Sequence, residues 1–287
     1  MDYSEYCKEM YNFMFQQKYE EYLAGRTTKA AIESSERRAQ HEAIIYAFQS
    51  AFEEYSSTAN VTDIWNAIYR AHLFRKIDIT NISDIDENVV DAIISGAQSW
   101  KKSSGHVFED YVCRATRDRL ALHNIRFVLQ KELTQMLADG RIANDPSDNI
   151  AAIAHSDNFD IYAIVNVNGK NIVFGCVQAK TSIRDRVGRD REFSARIMEK
   201  NFWSVAVVLD GTYLAMPKFE HMVNGGGTTQ YTDNGWHGMY SMSNAAEKDR
   251  IYDDKFLTLL IDDARQAAEK FTSARQRFTS SWQALHV

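Results

Sequence analysis

Apolar residues recur every three to four positions through the first hundred residues, and that spacing predicts a series of helices. "YCKEMYNFMFQQKYEEYLAG" is the first, stopping at Gly25, a glycine placed to end a helix. "TTKAAIESSERRAQHEAIIYAFQSAFEEY" is a second long helix, with Thr27 or Thr28 as its N-cap. "TDIWNAIYRAHLFRKI" starts a third at Thr62, and "SDIDENVVDAIISGAQSW" supplies another. Aromatic residues at helical spacing are core formers, so residues 1–100 suggest packing rather than chemistry.

The pattern changes from Gly105. "GHVFEDYVCRATRDRLALHN" is an amphipathic helix, and "IRFVLQKEL" fits a short strand or a helix. "ADGRIANDPSDN" is a loop. "FDIYAIVNVNGKNIVFGCVQAK" then reads as two β-rich runs joined by an Asn-Gly hairpin signal. "RDREFSARIMEKNF" is helical, "WSVAVVLDG" is a buried strand, and "MVNGGGTTQYTDNGWHGMY" is a Gly-rich loop. "EKDRIYDDKFLTLLIDDARQAAEKFTSARQRFTSSW" closes the chain with one or two helices. The expected fold class is therefore α/β (α+β). Residues 1–104 form a helical region that dimerises or clamps a partner, and 105–287 form an α/β core with closing helices.

Composition narrows the function classes. A content of 45% apolar and 25% charged residues is that of a soluble globular protein. No apolar run approaches the roughly 18 residues of a membrane span, and acids stand where a secretion signal carries bases. Cys7, Cys113 and Cys176 have neither zinc-ligand nor disulfide spacing, which fits a reducing cytoplasm. The net charge of −6 opposes nonspecific nucleic-acid binding, yet two segments run against it. Residues 101–131 carry seven Lys/Arg against three Asp/Glu, and residues 180–200 seven against four.

Candidate chemistry lies between those segments. Asp160 starts one strand of the hairpin and Lys180 ends the other, so the fold brings both to one end of the sheet. An acid there can hold a divalent cation, and the lysine can orient a water or stabilise developing negative charge, as phosphodiester hydrolysis requires. An ordinary surface ion pair is the alternative. Gln178, two residues before the lysine, is neutral and a weak ligand, so another acid must complete a metal site. Glu109 on the preceding helix and Glu192 on the following one are candidates; each also fits a solvated helix face. After the lysine, Arg184, Asp185 and Arg186 place two guanidinium forks suited to guanine around a carboxylate suited to cytosine. A self-neutralised charge cluster is the alternative. Arg189 and Arg191 extend the candidate DNA contacts. Asn224, Gln230 and His237 in the Gly-rich loop, and His155 before the hairpin, are further polar candidates.

Together, "FDIYAIV", "CVQAKTSIRDR" and the glutamate beyond resemble the PD-(D/E)xK nuclease superfamily, within it the type II restriction endonucleases that cut CC- and GG-containing sites. The resemblance spans roughly residues 105–210. It implies a mixed central sheet flanked by helices, and a homodimer hydrolysing double-stranded DNA with Mg2+ at a palindromic site. It further implies Asp160 and Glu192 as metal ligands, Lys180 as the catalytic lysine, Arg184 and Arg186 on guanines, and Asp185 on cytosine. A cognate DNA methyltransferase follows as genetic partner. The sequence departs from the family in Phe159 for the motif proline, Gln178 for the usual acid, and Glu192 about one residue short of the usual offset, which leaves Glu199 as a rival. A catalytically silent DNA-binding module and a helical protein-interaction protein are the competing readings.

Overall fold

A computed structural model describes residues 2–76, 87–156, 159–182, 187–227 and 229–286. It divides into two compact units, Met1–Phe108 and Glu109–Val287. The first is helical: α1 (Tyr3–Leu23), α2 (Lys29–Tyr55), α3 (Val61–Lys76) and the first part of α4 (Glu87–Ala121). Asp2 caps α1 through Glu5 N–H, and Gly25 follows that helix at φ +71°, a conformation open to glycine. Thr28 caps α2 through the N–H of Ala31. For α3 the cap is Asn60 rather than Thr62, its side-chain oxygen accepting from the Thr62 N–H at 3.0 Å. Trp65 stands edge-on to Phe48 and Trp100, and Tyr11, Phe48, Trp65, Trp100 and Phe108 are core as their spacing predicts, whereas Phe13 and Phe74 are exposed.

Two segments predicted as separate helices, residues 83–100 and 105–124, merge. From Glu87 onward they are one 35-residue helix, α4, with Gly105 inside it. Residues 83–86 lie outside the described ones.

The second unit holds a six-stranded mixed sheet in sequential order: β1 (Ile125–Leu129), β2 (Ile161–Val167), β3 (Lys170–Ser182), β4 (Trp203–Asp210), β5 (Gly238–Ser241) and β6 (Ile251–Asp253). The first three strands are antiparallel and the rest join in parallel. "IRFVLQKEL" proves to be both elements in succession, β1 and then α5 (Gln130–Ala138). Helices α6 (Ile150–Ala154), α7 (Val187–Met198), α8 (Pro217–Asn224) and α9 (Thr258–Ala274) complete the unit. Two strands lie where none is expected: β5 in the Gly-rich stretch and β6 at the head of the predicted closing helix.

Strand β4 is buried almost throughout, which explains its unbroken apolar run. On one face Trp203 packs against Phe127 and Phe174, and Phe271 of α9 covers Phe174. On the other, Ala206 and Val208 join Val187, Met222, Val223 and Trp236. Gly175 pairs with Trp203 in the ladder, and a Cβ there would lie 2.9 Å from both the Cβ and the carbonyl oxygen of Trp203. Backbone cannot yield as a flexible side chain does. Gly175→Ala is therefore expected to lower stability by about 1–3 kcal/mol, read from denaturant unfolding; an unshifted midpoint would show that the sheet accommodates the methyl.

The hairpin forms as the Asn-Gly signal predicts. Asn168 and Gly169 take positive φ (51° and 82°), the pairing of signs that a two-residue type I′ turn needs. The ladder holds one irregularity with consequences for the site. Ile164 pairs with Val173, but Ala163 pairs with Gly175, leaving Phe174 as an extra residue. Because strand side chains alternate, this bulge reverses which β3 residues face which side. Continued to the strand end, the register sets Asp160 opposite Gln178 and places Lys180 on the same face. Without it, Asp160 would share a face with Val177 and Ala179.

Candidate active site

Asp160 sits at the entrance to β2, directly after the buried Phe159. Its Oδ2 accepts from the Ala179 N–H at 2.9 Å and from Lys180 Nζ at 3.1 Å. The two side chains retain 21% and 32% exposure, enough for a ligand to reach both. Burial by itself would lower the Lys180 pKa. The attraction of Asp160, then of Asp190, the hydrogen bond with Asp160 and the field of Glu109 outweigh it, and the ammonium is held above its ordinary value. Lys180 is thus a fixed cation at neutral pH, suited to stabilising negative charge and unsuited to removing a proton.

The carboxylate that approaches Lys180 from α7 is Asp190. Val187, Asp190, Ser194 and Ile197 recur at helical spacing along one stripe, and all but Asp190 are buried. Glu192 lies two residues on, about 200° around the helix from Asp190, and is exposed, as is Glu199. Of the acids singled out in the sequence, the structure brings Asp160 and Glu109 to Lys180 and turns Glu192 to solvent. Sequence reasoning missed Asp190, although the apolar spacing of its stripe was available to reveal it.

Gln178 is fully buried, away from the open end of the site. Its Oε1 accepts from the Trp236 indole N–H at 2.7 Å, and its Nε2 donates to the Asp190 carbonyl at 3.1 Å. The amide therefore ties β3 to α7 and to the segment before β5, fixing the helix turn that carries Asp190. Arg191 is committed to a bracing position too. It donates to the carbonyls of Met222 (3.1 Å) and Asp233, and its guanidinium lies over Tyr231 at 4.9 Å. Arg189 is exposed and lies 5.7 Å from the Phe193 ring centre. Arg184, Asp185 and Arg186 lie outside the described residues.

The polar candidates of the Gly-rich loop divide. Asn224 is taken up by Lys248 and Arg250 backbone, Gln230 is exposed, and His237 is buried. His237 Nδ1 accepts from the Ser204 N–H (3.0 Å), so Nε2 carries the proton and donates to the Thr279 carbonyl (3.1 Å). Arg250 donates to the carbonyls of His237, Ser281 and Trp282, stapling the C-terminal segment over this loop. His155 is exposed at the end of α6.

A part-buried Asp-Lys pair at a strand end, with further acids close by, is a hydrolytic arrangement found in nucleases, and comparison with known proteins agrees. The family described as BsaWI restriction endonuclease type 2 matches residues 146–277, which contain Asp160, Gln178, Lys180 and Asp190. The crystal structure of a pre-specific restriction endonuclease BsaWI–DNA complex aligns over 100% of both chains, with 41% identity and a TM-score of 0.67. The chain belongs to the BsaWI family of type II restriction endonucleases. Like other members it is a site-specific deoxyribonuclease, and the silent-module and helical-adaptor readings fall away. The specific restriction endonuclease AgeI–DNA complex, 18% identical over 88% of this chain and 91% of that one, has a TM-score of 0.53 and shares the fold. The comparison with curated proteins found no match. A BsaWI-family enzyme with a mixed sheet and a helical N-terminal region agrees with the fold class expected above. Among the described residues, no helix is long and apolar enough to cross a membrane.

Proposed function

We propose that this endonuclease hydrolyses double-stranded DNA at a short palindromic site containing GG and CC, as an Mg2+-dependent homodimer in the cytoplasm. A cognate methyltransferase protects the host DNA. The reading is carried by the Asp160–Lys180 contact at 3.1 Å, with Asp190 and Glu109 in the same field. The site preference rests on the resemblance of the Arg184-Asp185-Arg186 run.

The donor set fits a hard cation. Asp160 and Asp190 both lie in the field of Lys180 and give the protein two carboxylates to offer. That suits Mg2+, which keeps several waters and takes further oxygens from phosphate. Asp160 and Asp190 would hold it, Asp190 being preferred to Glu192 because it lies on the helix stripe facing Lys180. When bound, the ion would acidify an attacking water and neutralise phosphoryl charge. The chain's own part is electrostatic. Lys180 presents a permanent cation to the phosphoryl oxygens, Asp160 fixes the ammonium, and Gln178 fixes the turn of α7 through its backbone.

The two helix acids separate cleanly. Asp190→Asn is expected to reduce Mg2+-supported plasmid cleavage by about 100-fold or more, and Glu192→Gln by less than about threefold. Initial rates against Mg2+ concentration test this. An inactive Glu192→Gln beside an active Asp190→Asn returns the ligand role to Glu192.

A further inference from the structure

The outer face of α7 carries a feature that the cleavage site does not use. Arg189, Phe193 and Arg196 follow one another at four and three residues along one side of the helix, and Lys200 lies in the turn two residues beyond its end. The three cations are exposed. Both guanidiniums lie over the same ring, Arg189 at 5.7 Å and Arg196 at 5.5 Å from the Phe193 centre. Glu192 stands four residues before Arg196, a spacing that favours a helical ion pair. Arg196 nevertheless lies over Phe193, and among the described residues none of the three cations is paired with a carboxylate. A self-neutralised helix face would have used that glutamate.

The stripe borders a hollow of about 180 Å3 formed with Ile153, Ser156 and Phe159. Phe159, one wall of the hollow, is joined directly to Asp160 of the cleavage site. Its apolar floor and cationic rim match the two parts of a nucleic-acid backbone, deoxyribose and phosphate.

We propose that Arg189 and Arg196, held at fixed spacing by Phe193, form with Lys200 a track for the DNA backbone flanking the scissile phosphate. This rests on the nuclease reading of the adjacent site. The track is independent of sequence: phosphate contacts set register and orientation, while bases are read elsewhere. Phe193 keeps the guanidiniums apart and ordered, so binding immobilises little that is not already fixed.

The test is a salt titration of duplex binding without divalent metal, using wild type, Arg196→Gln/Lys200→Gln, and Lys218→Gln as a one-charge control on α8. Each lost phosphate contact makes the slope of log K against log[salt] shallower by about 0.9. The double variant is therefore expected to lose about 1.8 from the slope, with a raised KM in Mg2+ cleavage, and Lys218→Gln to keep the wild-type slope. All substituted side chains are exposed, so the melting temperature should stay near that of wild type. A wild-type slope in the double variant, or an equal change in Lys218→Gln, overturns the track. A wild-type protein that neither binds nor cuts duplex DNA would instead overturn the nuclease reading itself.

Discussion

Alanine at Lys180 is expected to lower single-turnover DNA cleavage by about 10²–10³-fold, the loss typical of removing one preorganised charge donor from a transition state. The side chain is two-thirds buried, and the carboxylates of Asp160, Asp190 and Glu109 keep it protonated across the neutral range. Its removal has two consequences of the same sign. The phosphoryl oxygens lose a cation, and Asp160 loses its neutralising partner while Asp190 and Glu109, whose fields also act at Lys180, remain. The net field at the site then turns against a phosphate. Lys180→Arg keeps the charge but replaces a compact ammonium with a wider planar fork, so only part of the rate should return. Rates measured at saturating enzyme separate this loss from weakened binding. A Lys180→Ala rate within about threefold of wild type would remove the lysine from the mechanism.

The parts of this site that could be read from sequence are those whose signals are local. Asn168-Gly169 announces a hairpin, and the hairpin brings Asp160 and Lys180 to one end of the sheet, where their contact is found. What escaped depends on tertiary packing. The extra residue Phe174 decides which face Lys180 takes, and no local pattern marks a bulge between two well-formed strand segments. Gln178 reads as an odd polar strand end until its partner, the indole of Trp236, is brought in from 58 residues away. Asp190 and Glu192 are both acids early in a helix, and only the buried stripe of that helix separates them. Strands β5 and β6, four and three residues long, are too short to show alternation; β5 forms on the edge that β4 offers and β6 on the edge of β5. The unbroken α4 was hidden by Gly105, whose low helix propensity suggested a boundary that the surrounding helix overrides.

Acid is expected to destabilise this fold through His237 before it protonates most carboxylates. The ring is buried, stacked on Phe278 at 5.0 Å. Burial, reinforced by the Arg250 cation, pushes its pKa down to about 3 despite the Thr279 carbonyl, which favours the charged form. The geometry gives the reason. Nδ1 accepts from the Ser204 N–H, and protonation there would set two donors against each other while placing a second cation beside Arg250. The unfolded chain binds this proton near pH 6.5 and the folded one only near 3, so between those values unfolding takes up a proton. Stability is complete above about pH 6.5 and falls by about 1.4 kcal/mol per unit as pH drops, reaching about 5 kcal/mol by pH 3. Asp254 and Asp263, whose carboxyls burial pushes upward, act in the opposite sense: they gain stability on acidification and flatten the lower part of the curve. His237→Phe isolates the effect. It keeps an aromatic ring against Phe278 and leaves Ser204 N–H without its acceptor, so it should be less stable at pH 7 yet lose the His237 contribution to the slope. Urea midpoints from pH 7.5 to 5 compare the two proteins, and parallel curves would show that His237 is not the titrating group. The bond that protonation removes is the one from the Ser204 N–H on β4, while the Thr279 carbonyl still accepts from Nε2. The acid step is therefore expected to loosen the contact between β4 and the His237 segment, with the Ser204 amide exchanging its hydrogen earlier at pH 5 than at pH 7.5.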